Sequence, residues 1–306
     1  MSFAASAGDL VRYALDRRVT NPMTLPMVGM IGAPFVLLAA GHTNDPRFWP
    51  GVALTVGCGF AVYVAAMMLN DVCDLEVDRI AHPERPLPSG RCSPRALTVW
   101  AWVLYACAGL AAALWSPLAG AVVLGHLVVS VGHYSYAKTR FKAPGASEFL
   151  TALQNAPIPP FCAAMALPLV GSLSPFVGVI AALTLLIYCA DVATDMIAGI
   201  SDEAADFIGN VATMSVTLGA RAAALGGAAM AAAALAVGAW LVIRPGANPV
   251  LQIGAAAAGI AVVATVGGLL QRPDAGRRIE ASYLSLWIFV AWIFIGSAAS
   301  ALVGGA

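Results

Sequence analysis

Long apolar runs separated by short polar breaks dominate the chain, and their lengths define the elements. A membrane-spanning helix needs about 20 mostly apolar residues. Nine such stretches occur, near 22–40, 52–70, 94–115, 117–137, 147–168, 174–199, 214–243, 249–270 and 279–303. The run at 214–243 is long enough to tilt or to carry a turn. The pattern predicts an all-α polytopic membrane protein. Nine transmembrane helices surround a central cavity, with cytosolic loops as a cap and residues 1–306 as one domain.

Composition agrees with lipid as the solvent. Apolar residues are 60% of the 306, and Asp, Glu, Lys and Arg together are 10%. A soluble chain carries about 25% charged residues. The net charge is zero, which gives no reason to expect a nucleic-acid partner. Six cysteines are scattered singly through apolar segments and read as small core residues. Asp9, Arg12 and Asp16 interrupt any N-terminal apolar run, so residues 3–18 suggest an interfacial helix rather than a signal peptide.

The placement of the basic residues sets the expected orientation. Fourteen of the sixteen Lys and Arg precede the first span or fall in alternate loops, and only Arg47 and Arg244 fall opposite. The positive-inside rule then puts the N-terminus and the loops near 71–93, 138–146, 200–213 and 271–278 in the cytoplasm, with the C-terminus outside.

Two acidic clusters lie on that cytoplasmic side. The first reads Asn70-Asp71-Val-Cys-Asp74-Leu-Glu-Val-Asp78. Asn70, Asp74 and Asp78 are spaced i, i+4, i+8 and share one helical face, which Asp71 borders. Stacked carboxylates repel by a few tenths of a kcal/mol per pair, even when exposed. Ionisable groups at a membrane boundary are usually functional. A divalent cation removes the conflict, and hard carboxylate oxygens suit Mg²⁺, which shares its coordination with substrate phosphates. The second cluster is Asp191, Asp195, Asp202, Glu203 and Asp206, spaced to line one face of a helix leaving the membrane. Two acidic helix ends on one side suggest carboxylates facing each other across a cavity. Basic groups for phosphate oxygens are at hand in Arg85, Arg91, Lys138 and Arg140. His126 and His133 read as satisfied core groups.

The first cluster, followed by Arg85-Pro-Leu-Pro-Ser-Gly-Arg91, resembles the first signature of the UbiA superfamily of intramembrane prenyltransferases. Tyr134-x-x-x-Lys138 and, more weakly, Arg18-x-x-Asn21 are similar to other parts of that pattern. The second motif departs from it. Asp202 and Asp206 fit its last two aspartates and Thr213-Met-Ser-Val-Thr-Leu-Gly219 its tail, but Ser215 stands where proline is usual and Gly199 where the first aspartate is expected. Asp195, one turn earlier, is a candidate replacement, and Asp191 is an extra acid.

The resemblance implies a prenyl diphosphate as substrate, with its tail in a lipid-open tunnel, and two Mg²⁺ ions bridging its diphosphate to the aspartates. On that basis Asp71, Asp74 and Asp78 hold one ion, and Asp202 and Asp206, helped by Asp195, hold the other. Asn70, Tyr134, Lys138, Arg140, Arg85, Arg91, Arg18 and Asn21 bind the substrate. The expected reaction is prenyl transfer to an aromatic or other lipophilic acceptor. A terpene cyclase without an acceptor is the alternative, and a cation-coupled transporter is a more distant one.

Overall fold

A computed structural model describes residues 3–15, 24–133, 140–243, 248–273 and 276–304. Every regular element among them is helical. Helix α1 spans Phe3–Ala14, α2 Thr24–Ala39, α3 Phe48–Cys73, α4 Leu75–Ala81, α5 Pro94–Trp115 and α6 Pro117–Gly132. Helix α7 spans Ala146–Ala152, α8 Ile158–Val170, α9 Val177–Ile208, α10 Met214–Leu218, α11 Ala220–Val242, α12 Pro249–Gln271 and α13 Gly276–Gly304.

Six helices are long and apolar enough to cross a bilayer: α3, α5, α9 with its preceding turn, α11, α12 and α13. Three shorter apolar helices, Met27–His42, Pro117–Gly132 and Ile158–Val170, accompany them. Their outward faces remain apolar. Leu110, Leu114, Leu124, Ile253 and Ile260 are all more than 60% exposed, and only 22% of the apolar stretch of α12 is buried within the protein. A surface of that kind is stable against lipid and not against water. The protein is an all-α, multi-pass integral membrane protein.

Three stretches depart from the expected boundaries. The run at 147–168 is two helices: 153–157 is a turn, Pro157 has no amide donor to continue the first helix, and Pro159 and Pro160 sit in the first turn of the second, where amide donors have no helical partner anyway. The run at 214–243 takes the turn: Gly219, at φ +88°, divides α10 from α11 in a conformation that side-chain-bearing residues rarely adopt. Most of the loop expected at 200–213 is helix, since α9 continues to Ile208. With 32 residues α9 is about 48 Å long, well beyond the roughly 30 Å hydrocarbon layer. Its last turns carry Asp202, Glu203 and Asp206, while Asp191 stays buried within the bundle. Helix α1 is also more than an interfacial anchor, because Tyr13 is fully buried.

Two apolar cores hold the bundle. One joins α2, α9, α11, α12 and α13 around Ile187, Ala193, Leu286 and Phe294. The other joins α2, α3, α5, α6 and α8 around Phe35, Phe48, Leu97 and Met165. The six cysteines are all free thiols, four of them buried.

Candidate active site

A cavity of about 480 Å³ lies between the two cores. Met27, Ile31 and Trp287 line it from one core, and Val62, Val123 and Phe161 from the other. Tyr63 and Tyr283 add aromatic surface. The break between α7 and α8 also faces it, through Gln154, Asn155 and Pro157. Irregular backbone at membrane depth is tolerated where it is enclosed by protein or lines a polar cavity.

Both acidic clusters reach this cavity. Asn70, Asp74 and Asp78 line it from the α3–α4 junction, and Asp191, Asp195, Gly199, Asp202 and Asp206 line it from α9. Asp74 sits where α3 hands over to α4. The hydrogen bonds Asp74 N–H to Asn70 O (2.9 Å) and Asp78 N–H to Asp74 O (2.8 Å) keep the helical spacing through the junction. That continuity keeps the three side chains on one face. Residues from α4 and the end of α9 are in contact; a β-carbon on Gly209 would come within 2.6 Å of Val77 Cγ2.

Arg85 closes the mouth. Its Nη1 donates to Asp78 Oδ1 at 2.7 Å and Oδ2 at 2.9 Å. Burial raises the Asp78 carboxyl above its usual range, the Arg85 charge and hydrogen bonds draw it back, and the charges of Asp71 and Asp74 raise it further.

Several expected site residues are placed elsewhere. Asp71 does not line the cavity. It lies one residue, about 100°, around α3 from Asn70, is buried, and accepts a 2.9 Å hydrogen bond from the Tyr13 hydroxyl. Arg91 braces its own loop instead, donating to Glu84 O at 2.6 Å and Ser89 Oγ at 3.0 Å. Arg140 is exposed ahead of α7 and is not part of the lining. Arg18, Asn21, Tyr134 and Lys138 lie outside the described residues.

The irregular second motif has a local structural counterpart. Ser215 Oγ donates to the Gly199 carbonyl at 2.6 Å, so the two unusual residues touch. A β-carbon on Gly199 would meet Ser215 Oγ at 3.6 Å and Thr213 Cβ at 3.9 Å, which is ordinary contact. The cradle therefore has room for a β-carbon at 199.

Residues that sequence pattern alone passed over complete the wall. Ser147, Glu148 and Thr151 of α7 line the cavity, with Asn155 beyond them. Glu148 was visible as a single acid inside an apolar run, the kind of position that usually has a function. His126 lines the cavity with both ring nitrogens engaged, Nδ1 with the Tyr105 hydroxyl (3.0 Å) and Nε2 with Gln154 O (2.9 Å).

The donor set fits a hard divalent cation. Asp74, Asp78, Asp195, Asp202 and Asp206 present only carboxylate oxygens to one cavity. Among the described residues, no three His, Cys, Asp or Glu side chains converge closely enough to hold a metal by themselves. Such a wide-set array suits an ion that completes its coordination with water and phosphate oxygens.

Residues 27–289 match the model of the UbiA prenyltransferase family. The chain belongs to that family. It is a prenyltransferase, and the transporter reading falls away with that assignment. A digeranylgeranylglyceryl phosphate synthase of Thermococcus gammatolerans is 27% identical over 214 residues, covering 67% of this chain and 70% of that protein. The synthase of the same name from Halobacterium salinarum is 30% identical over 203 residues, covering 66% and 67%. Among solved structures, a UbiA homologue from Aeropyrum pernix has a TM-score of 0.69 at 19% identity, over 88% of this chain and 97% of that one. A UbiA homologue from Archaeoglobus fulgidus, bound to GPP and Mg²⁺, has a TM-score of 0.62 at 14% identity, over 96% and 99%. At these identities the structures show the shared fold.

Proposed function

We propose that the protein transfers a prenyl group from a prenyl diphosphate to a lipophilic acceptor, in a Mg²⁺-dependent reaction. The observation that carries this reading is that Asp74 and Asp78, and Asp202 and Asp206 from α9, line one cavity whose wall elsewhere includes the apolar Ile31, Val62, Phe161 and Trp287. An amphiphile with an anionic head and a hydrocarbon tail matches that division. The two aspartate pairs, with Asp195 beside the second, would hold the magnesium. When bound, the metal supplies positive charge that offsets the charge of the departing diphosphate.

The chain's own residues do the rest. Arg85 sits at the mouth, its guanidinium already fixed by Asp78, where it can donate to a phosphate oxygen. Asn70 orients the head group from the same helical face. Tyr63, Phe161, Tyr283 and Trp287 line the region below with aromatic faces, which stabilise a developing allylic cation while excluding water. The C1–O bond breaks with its electron pair passing to the diphosphate. The acceptor's nucleophilic atom forms the new bond to C1 and gives up its proton to the released diphosphate or to water. The named relatives support a lipid acceptor of glyceryl type, since a digeranylgeranylglyceryl phosphate carries two prenyl groups on one glycerol.

The same reading has nine crossings, with the three shorter apolar helices joining the six long ones. The acidic mouth and the N-terminus face the cytoplasm and the C-terminus the outside. Arg47, on the opposite side, is neutralised by a bidentate pair with Asp45 (2.7 and 3.0 Å), consistent with this orientation.

The test is direct. Purified protein is incubated with farnesyl or geranylgeranyl diphosphate, Mg²⁺ and lipid alcohols, and both diphosphate release and prenylated product are measured. Acceptor-dependent product supports transfer. Cyclic hydrocarbon formed without acceptor would replace transfer with cyclisation, and no diphosphate release would reject both.

A further inference from the structure

The reaction brings two molecules into one cavity, and the chemistry of one is known in outline. A prenyl diphosphate is anionic at one end and hydrocarbon beyond it. The aspartates and Arg85 at the mouth account for its head, and Ile31, Val62 and Phe161 account for its tail. Neither accounts for three further polar groups that line the same cavity, Glu148, Asn155 and Asp191.

Asp191 is 5% exposed, lines the cavity, and accepts a 2.8 Å hydrogen bond from Asn155 Nδ2. It precedes Asp202 by eleven residues of one helix, about 16 Å along the axis. It is therefore too deep to touch a diphosphate held at the mouth. Glu148 is 3% exposed and also lines the cavity. Its Oε1 accepts from the Met214 amide at 2.6 Å, at the start of α10. Its Oε2 is buried without a hydrogen-bond partner. A buried carboxylate oxygen lacking a donor is costly, and a ligand that supplies one removes the cost.

Resting on the transfer reaction above, we propose that Glu148, Asn155 and Asp191 form the acceptor site, and that it selects an uncharged lipophile bearing a hydroxyl group. A hydrocarbon tail cannot satisfy these groups, whereas a hydroxyl donates to a carboxylate in a short, strong hydrogen bond. Charge disfavours an anionic group beside Glu148 and Asp191. Six aspartates and Glu148 line the cavity, and among the described residues Arg85 is the only Lys or Arg that does so, already paired with Asp78. A phosphate or carboxylate beside Glu148 and Asp191 would meet like charges where screening is weak. The acceptor then differs in its head group from the phosphate-bearing product after which the relatives are named.

A matched pair of acceptors tests this. Geranylgeranylglycerol and geranylgeranylglyceryl phosphate present similar lipids without and with the phosphate. With full-length protein, geranylgeranyl diphosphate and Mg²⁺, kcat/KM for the unphosphorylated alcohol should be higher by about tenfold or more. Asp191→Asn and Glu148→Gln keep shape and remove charge. Each should raise KM for the alcohol about tenfold, the equivalent of one charge-assisted hydrogen bond, and narrow the gap between the two acceptors. The rise should appear in the acceptor KM and not in the diphosphate KM. Preference for the phosphorylated acceptor would overturn the proposal. So would an unchanged acceptor KM in both variants, or turnover of neither acceptor while acceptor-independent diphosphate release persists. Absence of diphosphate release under all conditions would instead reject the underlying transfer reading.

Discussion

The Tyr13 hydroxyl lies 2.9 Å from Asp71 Oδ2, and both side chains are buried. This bond clasps the N-terminal helix to the first acidic cluster, on the side of α3 turned away from the cavity. Two further bonds reinforce the clasp: Arg12 donates to Arg91 O at 2.6 Å, and Asp9 accepts from the Ser93 amide at 3.0 Å. Helix α1 thus holds both α3 and the loop that carries Arg85.

Tyr13→Phe keeps the ring and removes the donor. Loss of a hydrogen bond to a charged group costs about 1.5–3 kcal/mol. The variant should melt at a lower temperature in detergent and have weaker Mg²⁺-dependent activity, the activity defect shrinking as the assay temperature falls. A melting curve equal to that of the wild type would show that the clasp contributes nothing.

Asp71 and Asp74 should respond differently to the same change. Asp74→Asn removes a carboxylate from the cavity, so turnover should fall at least about a hundredfold while the protein still inserts, in line with the loss of one group that stabilises developing charge. Asp71→Asn acts behind the cavity wall. It should cost stability first and leave more of the turnover. Chelation should abolish activity in the wild type and added Mg²⁺ should restore it. Equal kinetic losses at 71 and 74, at unchanged stability, would place Asp71 in the metal site after all.

Gly199→Asp adds a carboxylate at a position that lines the cavity and where a β-carbon meets only ordinary contacts. Glycine inside a helix costs somewhat more than aspartate, so folding should not suffer. The expected outcome is activity at a lower Mg²⁺ concentration. In Asp195→Ala, adding Gly199→Asp should recover part of the lost turnover. An inert double variant would mean that Asp202 and Asp206 serve without help from either position.

Asp78 provides a pH dependence whose sign follows from its surroundings. Burial raises its carboxyl above the usual range, so a proton is held there at pH values where an exposed aspartate is ionised. A protonated carboxyl is a poor magnesium ligand. As pH falls through that raised value, kcat/KM for the prenyl diphosphate should fall with it. Arg85→Ala removes the cation that lowers the Asp78 value, so the acid limb should move to higher pH. A limb that stays in place would separate Asp78 from metal binding.

Orientation is checked by reporters. A fusion after Ala306 should read as outside the cytoplasm, and an insertion near Lys142 as inside. A cytoplasmic C-terminus would remove the odd number of crossings.

Much was legible in the residue pattern because lipid makes a one-dimensional demand. A helix in hydrocarbon satisfies its own backbone, so a run of about 20 apolar residues is enough to announce it. Glycine marked one turn, at Gly219 where α10 meets α11, whereas the break at Pro157 between α7 and α8 falls inside what the apolar pattern reads as one span. The i, i+4, i+8 spacing likewise put Asn70, Asp74 and Asp78 on one face, because helical periodicity is local. Which way a face turns is not local. Asp71 differs from Asn70 by a single step in the chain, yet packing against α1 sends it to Tyr13 and away from the cavity. Arg91 and Arg85 share one loop, and only the folded loop spends Arg91 on its own backbone while presenting Arg85 to Asp78. Glu148, Asn155 and Asp191 come from distant parts of the chain and meet one cavity only because α7 and its broken end pack beside α9. Composition and periodicity therefore determined solvent, helices and the acidic motifs. Long-range packing decided which of those side chains share a cavity, since that depends on contacts between segments that no local spacing records.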